Sequence, residues 1–245
     1  MRNIKLTIEY DGREYSGWQR QKNAVSVQET IEYALEKITL EKTILFGSGR
    51  TDSGAHALGQ VANFKTTCQL NPIKFQKALN SNLPADTVII SAEEVSLDFH
   101  AQYSANGKIY VYKILNRSCR TAIDRNRVWH VDHNLDVGEM KKASKSLMGI
   151  HDFVNFSQGR LARGSTTRNV IKTNISEMDN SIIQFSIESD GFLKRMVRML
   201  TGTLVEVGKG KITVHDFEKL ISTNEHSKHI FTAPPWGLYL YKVNY

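Results

Sequence analysis

Ile4-Lys5-Leu6-Thr7-Ile8-Glu9-Tyr10, closed by the turn pair Asp11-Gly12, is the stretch on which the fold class turns. Apolar and polar residues alternate with a period of two, as in a strand with one buried face. A helix signal follows. Ser26 with Glu29 three residues later reads as a capping box, and Val27, Ile31, Leu35 and Ile38 then fall on one helical face. Strand-like stretches come next at 43–46 and 60–64. Asn71-Pro72 opens a second helix, because proline suits the first helical position, and Thr87–Val95 reads as another strand. The second half repeats the rhythm. It predicts a strand over Lys108–Leu115, a helix capped by Asp136 and Glu139 and ending at Gly149, and two strands, Val170–Met178 and Ile182–Glu188, joined around Asp179-Asn180. A helix over Phe192–Val207, a short one opened by Thr213 and a closing strand over Leu238–Tyr245 complete it. Each half therefore mixes strands and helices in the manner of a split βαβ unit. The class is α+β, with domains expected at 1–105 and 106–245.

Composition agrees with a globular chain. The 245 residues suit one or two domains, and 40% hydrophobic with 23% charged residues excludes a largely disordered protein. No unbroken apolar run exceeds four residues, so no transmembrane helix is expected. The opening residues lack the apolar core of a signal peptide, and Cys68 and Cys119 make no disulfide framework. A cytoplasmic chain is expected. A net charge of +7 and a pI near 9.3 favour a polyanionic partner, although many soluble proteins are modestly basic.

The most unusual segment is Gly47-Ser48-Gly49-Arg50-Thr51-Asp52-Ser53-Gly54-Ala55-His56. Three glycines in eight residues call for tight backbone geometry. A dinucleotide loop would need glycine at position 52, where an aspartate would face the pyrophosphate with like charge. Neither Ser48 nor Ser53 has the frame of a nucleophile elbow. One carboxylate remains, Asp52, two residues after Arg50. By itself this reads more readily as an Asx-type turn with a local ion pair than as a catalytic group. His130 with His133, and His226 with His229, are three apart but gather no further ligands, so no metal site is expected. Residues 153–176 contain no acid and carry Arg160, Arg163, Arg168 and Lys172, which suits either an RNA-tracking loop or a solvated one. On the predicted Phe192–Val207 helix, Lys194, Arg195 and Arg198 oppose an apolar face formed by Phe192, Met196, Leu200 and Val207. Tyr110, Tyr112 and Ile114 share one strand face.

Taken together, six ordered blocks resemble the TruA-type tRNA pseudouridine synthases nearly end to end. The first is Tyr10-Asp11-Gly12 with Tyr15, Gly17-Trp18-Gln19 and Gln21. The second is Gly49 to His56 with Gly59-Gln60-Val61. Phe99, Ala101, Ser104-Ala105, Lys108, Tyr110 and Tyr112 form the third, and Gly149, His151-Asp152-Phe153 and Phe156 the fourth. Gly191-Phe192-Leu193, Met196-Val197-Arg198, Gly202-Thr203-Leu204 and Val207-Gly208 form the fifth, and Ala233-Pro234-Pro235, Gly237-Leu238 and Leu240 the sixth.

The resemblance implies two ferredoxin-like domains sharing one mixed central sheet, the pseudouridine synthase fold, with a basic cleft between them. It implies a homodimer acting on RNA, most naturally tRNA, with no cofactor, no metal and no membrane. Asp52 is implied as the catalytic carboxylate, as nucleophile at C1′ or base at C2′. Arg198 is implied as its ion-pair partner, Tyr110 as the ring that stacks on the uracil, Arg50 as the residue that helps displace the base, and Leu238 as an apolar wall of the uracil pocket. A paired target must be flipped out of its helix, at a cost of a few kcal/mol. Two positions depart from the pattern. Gln102 stands where arginine is common, and Ile109 where a basic or polar residue is common. A paralogue acting on another RNA such as rRNA, or an RNA-binding or chaperone module without turnover, therefore remains open at this point.

Overall fold

A computed structural model describes residues 1–158, 165–223 and 229–245. The chain divides into two compact units, Met1–Asn106 with Tyr239–Tyr245, and Gly107–Leu238.

The first unit contains β1 (Arg2–Tyr10), α1 (Val27–Thr39), β2 (Phe46–Gly47), β3 (His56–Thr66), α2 (Pro72–Asn82) and β4 (Thr87–Val95). The alternation in β1 does what it predicts: Ile4, Leu6, Ile8 and Tyr10 are all buried. On its two flanks β1 pairs antiparallel with β3, Ile4 opposite Phe64, and with β4, Leu6 opposite Ala92. The short β2 pairs antiparallel with β3, Phe46 opposite Asn63. The order β4-β1-β3-β2 is that of a ferredoxin-like unit, in which β3 inserts between the two strands that flank α1. Ser26 caps α1 by accepting the Glu29 N–H, and Asn71 caps α2 by accepting the Ile73 N–H.

The strand expected over 43–46 is reduced to Phe46–Gly47, for a local reason. Leu45 spends its backbone on side chains of α1. Its N–H donates to Glu32 Oε1 at 2.9 Å, and its carbonyl accepts from Gln28 Nε2 at 3.1 Å. Glu32 is buried and is also held by Arg20, so polar side chains take over there from a strand ladder.

The second unit contains β5 (Gly107–Asn116), β6 (Trp129–Val131), α3 (Val137–Lys145), β7 (Gly149–Asp152), β8 (Thr167–Met178), β9 (Ile182–Ser189), α4 (Met196–Gly208) and α5 (Val214–Ser222). Its strands run in the order β5-β9-β8-β7, with β6 parallel to β5. β9 lies antiparallel to both β5 and β8, again splitting a βαβ unit, here the one closed by α3. Thr213 and Asp216 form a complete capping box at α5.

Two sequence expectations change here. The helix expected from Phe192 starts at Met196, because Arg195 occupies the left-handed region at φ 62°. Lys194 and Arg195 therefore precede α4 and do not form a cationic face with Arg198. Nor is α4 two-faced: all its residues except Met199 are buried, Arg198 included. A helix apolar around most of its circumference is a core helix, and α4 packs against α3, α5 and β5. The last strand, β10 (Leu238–Asn244), pairs parallel with β3, Tyr239 opposite His56 and Leu240 opposite Ala57. That pairing is why Tyr239–Tyr245 cluster with the first unit, whereas the sequence reading keeps them in the second half.

Candidate active site

In the first unit, the segment between β2 and β3 is pinned along its length. Ser48 donates its N–H to Val61 O at 2.8 Å and its hydroxyl to Gln60 Oε1 at 2.7 Å. The Gln60 amide in turn donates to Gly49 O at 2.9 Å. Thr51 O accepts from Trp18 N–H at 3.3 Å, and Thr51 Oγ1 shares a 2.7 Å hydrogen bond with the buried Tyr10 hydroxyl. Asp52 O accepts from Ala55 N–H at 3.1 Å, which closes a tight turn. Tyr15 O accepts from both Ser53 Oγ and Gly54 N–H.

These bonds fix backbone and leave side chains for chemistry. Thr51, Ala55 and His56 point into the protein, Asp52 is half-buried and Arg50 is exposed. Gly17 lies directly behind the turn, its Cα facing the Thr51 carbonyl too closely to admit a side chain. Behind His56, the Nδ1 nitrogen accepts from Gly12 N–H at 3.1 Å and the ring stacks on Tyr239 at 4.7 Å. Asp52 and Arg50, two of the sequence-predicted residues, thus share one rigid loop.

The second unit holds Tyr110, Arg198 and Leu238. Tyr110 is buried on β5, with the edge of Phe192 against its ring at a centroid distance of 4.9 Å. One strand repeat away on the same face, the Tyr112 hydroxyl donates to Pro234 O at 2.7 Å. Burial drives the Tyr112 phenol well above its usual pKa, and the Arg198 guanidinium opposes that rise. On the other side of Tyr110, burial and then the neighbouring Arg168 push the Lys108 ammonium down. Arg198 is held in place by donating from Nε to Ala233 O at 2.8 Å, while Ala233 N–H donates to Arg198 O at 3.0 Å. That reciprocal pair fastens α4 to the segment that leads through Pro234 and Pro235 to the buried Leu238. Two cations thus neighbour this strand face, Arg168 beside Lys108 and Arg198 beside Tyr112.

Of the basic segment singled out in the sequence, Arg160 and Arg163 lie outside the described residues, as does His226. His130 Nε2 lies 2.8 Å from Arg117 O, a structural contact, and among the described residues no group of three or more His, Cys, Asp or Glu could hold a metal. No described helix is long and apolar enough to cross a membrane. The supports behind the Asp52 turn, Tyr10, Gly17 and Gln60, carry no chemical signal of their own. In sequence they stand out only as members of the first two blocks of the resemblance.

With this geometry in view, comparison with known proteins is decisive. Residues 6–104 and 143–245 match the family described as tRNA pseudouridine synthase. A tRNA pseudouridine synthase A from Thermoanaerobacter sp. (strain X514) is 46% identical over 245 residues, covering 100% of both chains. A protein of the same name from Acetivibrio thermocellus is also 46% identical over 245 residues, and a tRNA pseudouridine synthase A 2 from Clostridium perfringens is 45% identical, each over 100% of both chains. The chain belongs to the tRNA pseudouridine synthase family. This is a family of isomerases that convert uridine to pseudouridine.

Proposed function

We propose that this chain isomerises uridine to pseudouridine in the anticodon stem-loop of tRNA, with Asp52 as its catalytic carboxylate. The reaction moves the glycosidic bond. The C1′–N1 bond breaks, the uracil turns, C5 bonds to C1′, the C5 proton is lost and N1 gains one. Atoms balance without a second substrate. What the protein must supply is a carboxylate, as nucleophile at C1′ or base at C2′, together with a pocket that holds the detached uracil. Tyr110 stacks on that uracil, Leu238 closes it off from water, Arg198 is the ion-pair partner of the carboxylate, and Arg50 takes the place of the displaced base. The working form is a cytoplasmic homodimer.

The observation that carries this reading is the Asp52 turn. Its backbone is fixed on both sides, with a half-buried carboxylate projecting from it. A group held in this way loses little freedom when it reacts. The test is Asp52→Asn, which keeps the size and removes the charge. Release of tritium from C5-labelled anticodon stem-loop RNA should vanish, while filter binding of the same RNA largely survives. Substantial residual release would remove Asp52 from the chemistry. A wild-type protein that binds this RNA and releases no tritium would favour a binding module or a different RNA target.

A further inference from the structure

Tyr10 ends β1, where it pairs with Ala57 on one side and Thr87 on the other, so its backbone is set by two neighbouring strands. Its hydroxyl reaches out of that sheet to Thr51 Oγ1, 2.7 Å away. Both residues are nearly closed to solvent, at 2% and 7% exposure. The Gln60 amide, which also holds Ser48 and Gly49, faces the same hydroxyl. Burial raises the phenol far above its ordinary pKa, so the hydroxyl keeps its proton across the working range. Thr51 is the residue immediately before Asp52.

We infer that Tyr10 is a positioning residue for the isomerisation: through Thr51 Oγ1 it ties the backbone from which the Asp52 carboxylate projects to the rigid end of β1. The inference rests on the reading of Asp52 as the catalytic group. Tyr10 touches no reacting atom. Its effect is on where the carboxylate lies, and a carboxylate displaced by a fraction of an ångström still binds RNA but reacts more slowly.

A purely structural hydrogen bond would leave a different signature, and two variants separate the possibilities. Tyr10→Phe leaves Thr51 Oγ1 buried without its partner, which costs both stability and alignment. Combining Tyr10→Phe with Thr51→Val removes both polar atoms while keeping both shapes. Most of the lost stability should then return, because no buried hydroxyl is left unpaired and only the Gln60 amide loses a partner, yet the tie to the loop is still absent. We expect Tyr10→Phe to lower kcat roughly 10- to 100-fold with KM within about twofold. The double variant should regain most of the melting temperature that Tyr10→Phe loses and keep the low kcat. Thr51→Ser, which retains the hydroxyl, should hold kcat within about threefold of wild type.

A double variant whose kcat recovers along with its stability would overturn the inference, as would a Tyr10→Phe enzyme with wild-type kcat. If Tyr10→Phe does not fold, the double variant and Thr51→Ser decide between the same two outcomes. Asp52→Asn, assayed on the same RNA, separates this inference from the one beneath it. Turnover by that variant refutes the role of Asp52 itself. An inactive Asp52→Asn beside a fully active Tyr10→Phe refutes only the positioning role.

Discussion

Replacing Gly17 with alanine should slow the reaction as well as destabilise the protein, and the size of each effect follows from the geometry. The Gly17 backbone has φ +95°, a region that L-residues enter at a cost of about 1–2 kcal/mol. A Cβ at that position would lie 2.5 Å from the Thr51 carbonyl oxygen and 3.2 Å from both Asp52 C and Ser53 N. Ordinary contact begins near 3.4 Å, so the two segments must part by roughly 0.9 Å in a close-packed interior. Because the Tyr10, Tyr15 and Trp18 bonds all hold the same turn, part of that movement passes to Asp52. A misplacement on the order of 1 Å at a reacting group costs about 100-fold, or roughly 2.7 kcal/mol of barrier.

Gly210 supplies an internal control. It too has a positive φ, +70°, but no atom lies within 4 Å of where its Cβ would go. Gly210→Ala should therefore carry the conformational strain alone, a fall in Tm of about 2–8 °C with the rate unchanged. Gly17→Ala should lose about 5–10 °C and roughly 100-fold in rate. The assay is single-turnover pseudouridine formation at saturating stem-loop RNA, run well below both melting temperatures, with thermal melts on the same preparations. A Gly17→Ala enzyme within twofold of the Gly210→Ala rate would refute the claim that this close approach sets the position of the carboxylate.

Two further outcomes are expected. Arg198→Lys keeps the charge but loses the Nε donor to Ala233 O, so we expect at least a tenfold loss of single-turnover rate and about 1–3 kcal/mol of stability by urea unfolding; a wild-type rate would mean that charge alone suffices there. At high pH, Tyr15 should become a liability. Burial, then its 2.6 Å hydrogen bond to Asp86, pushes its phenol up to about 12 from an ordinary 10.0. With the folded pKa above the unfolded one, its contribution is intact below pH 10 and is lost as pH rises toward 12. Tyr15→Phe, though less stable at neutral pH, should lose less stability across that window, and a urea midpoint falling as steeply as in wild type would contradict this.

Much of the architecture was legible because the local signals are strong. Alternation in β1 and the two caps at Ser26 and Asn71 are nearest-neighbour effects, and they place strand and helix starts within a residue or two. The start of α4 was not legible, because Arg195 adopts a left-handed conformation that nothing in its identity demands. The all-round burial of that helix was missed for another reason: a helical wheel shows polarity and not neighbours, so Arg198, which anchors Ala233, falls with Lys194 and Arg195 on a face opposite the apolar one. Leu45 shows the same limit, since its strand pairing is displaced by Gln28 and Glu32, residues more than a dozen positions away. At the candidate site, Arg50 and Asp52 stood out as charged residues in a glycine-rich loop. Gly17 and Tyr10 did not, because the contacts that matter cross from position 17 to 51 and from 10 to 51.

The return of β10 to the first unit gives the chain a built-in order of manufacture. The strand lying beside His56 and Ala57 is made only after all of Gly107–Leu238 has been synthesised. At ribosomal speeds of about 5–20 residues per second, those intervening residues take roughly 7–26 s to emerge. Throughout that interval β3 has no β10 beside it, and the His56 ring, next to the Asp52 turn, has no Tyr239 to stack on. A half-made chain emerging from the ribosome therefore carries the aspartate turn without the Tyr239 ring behind it. The first unit is assembled only once β10 has been made.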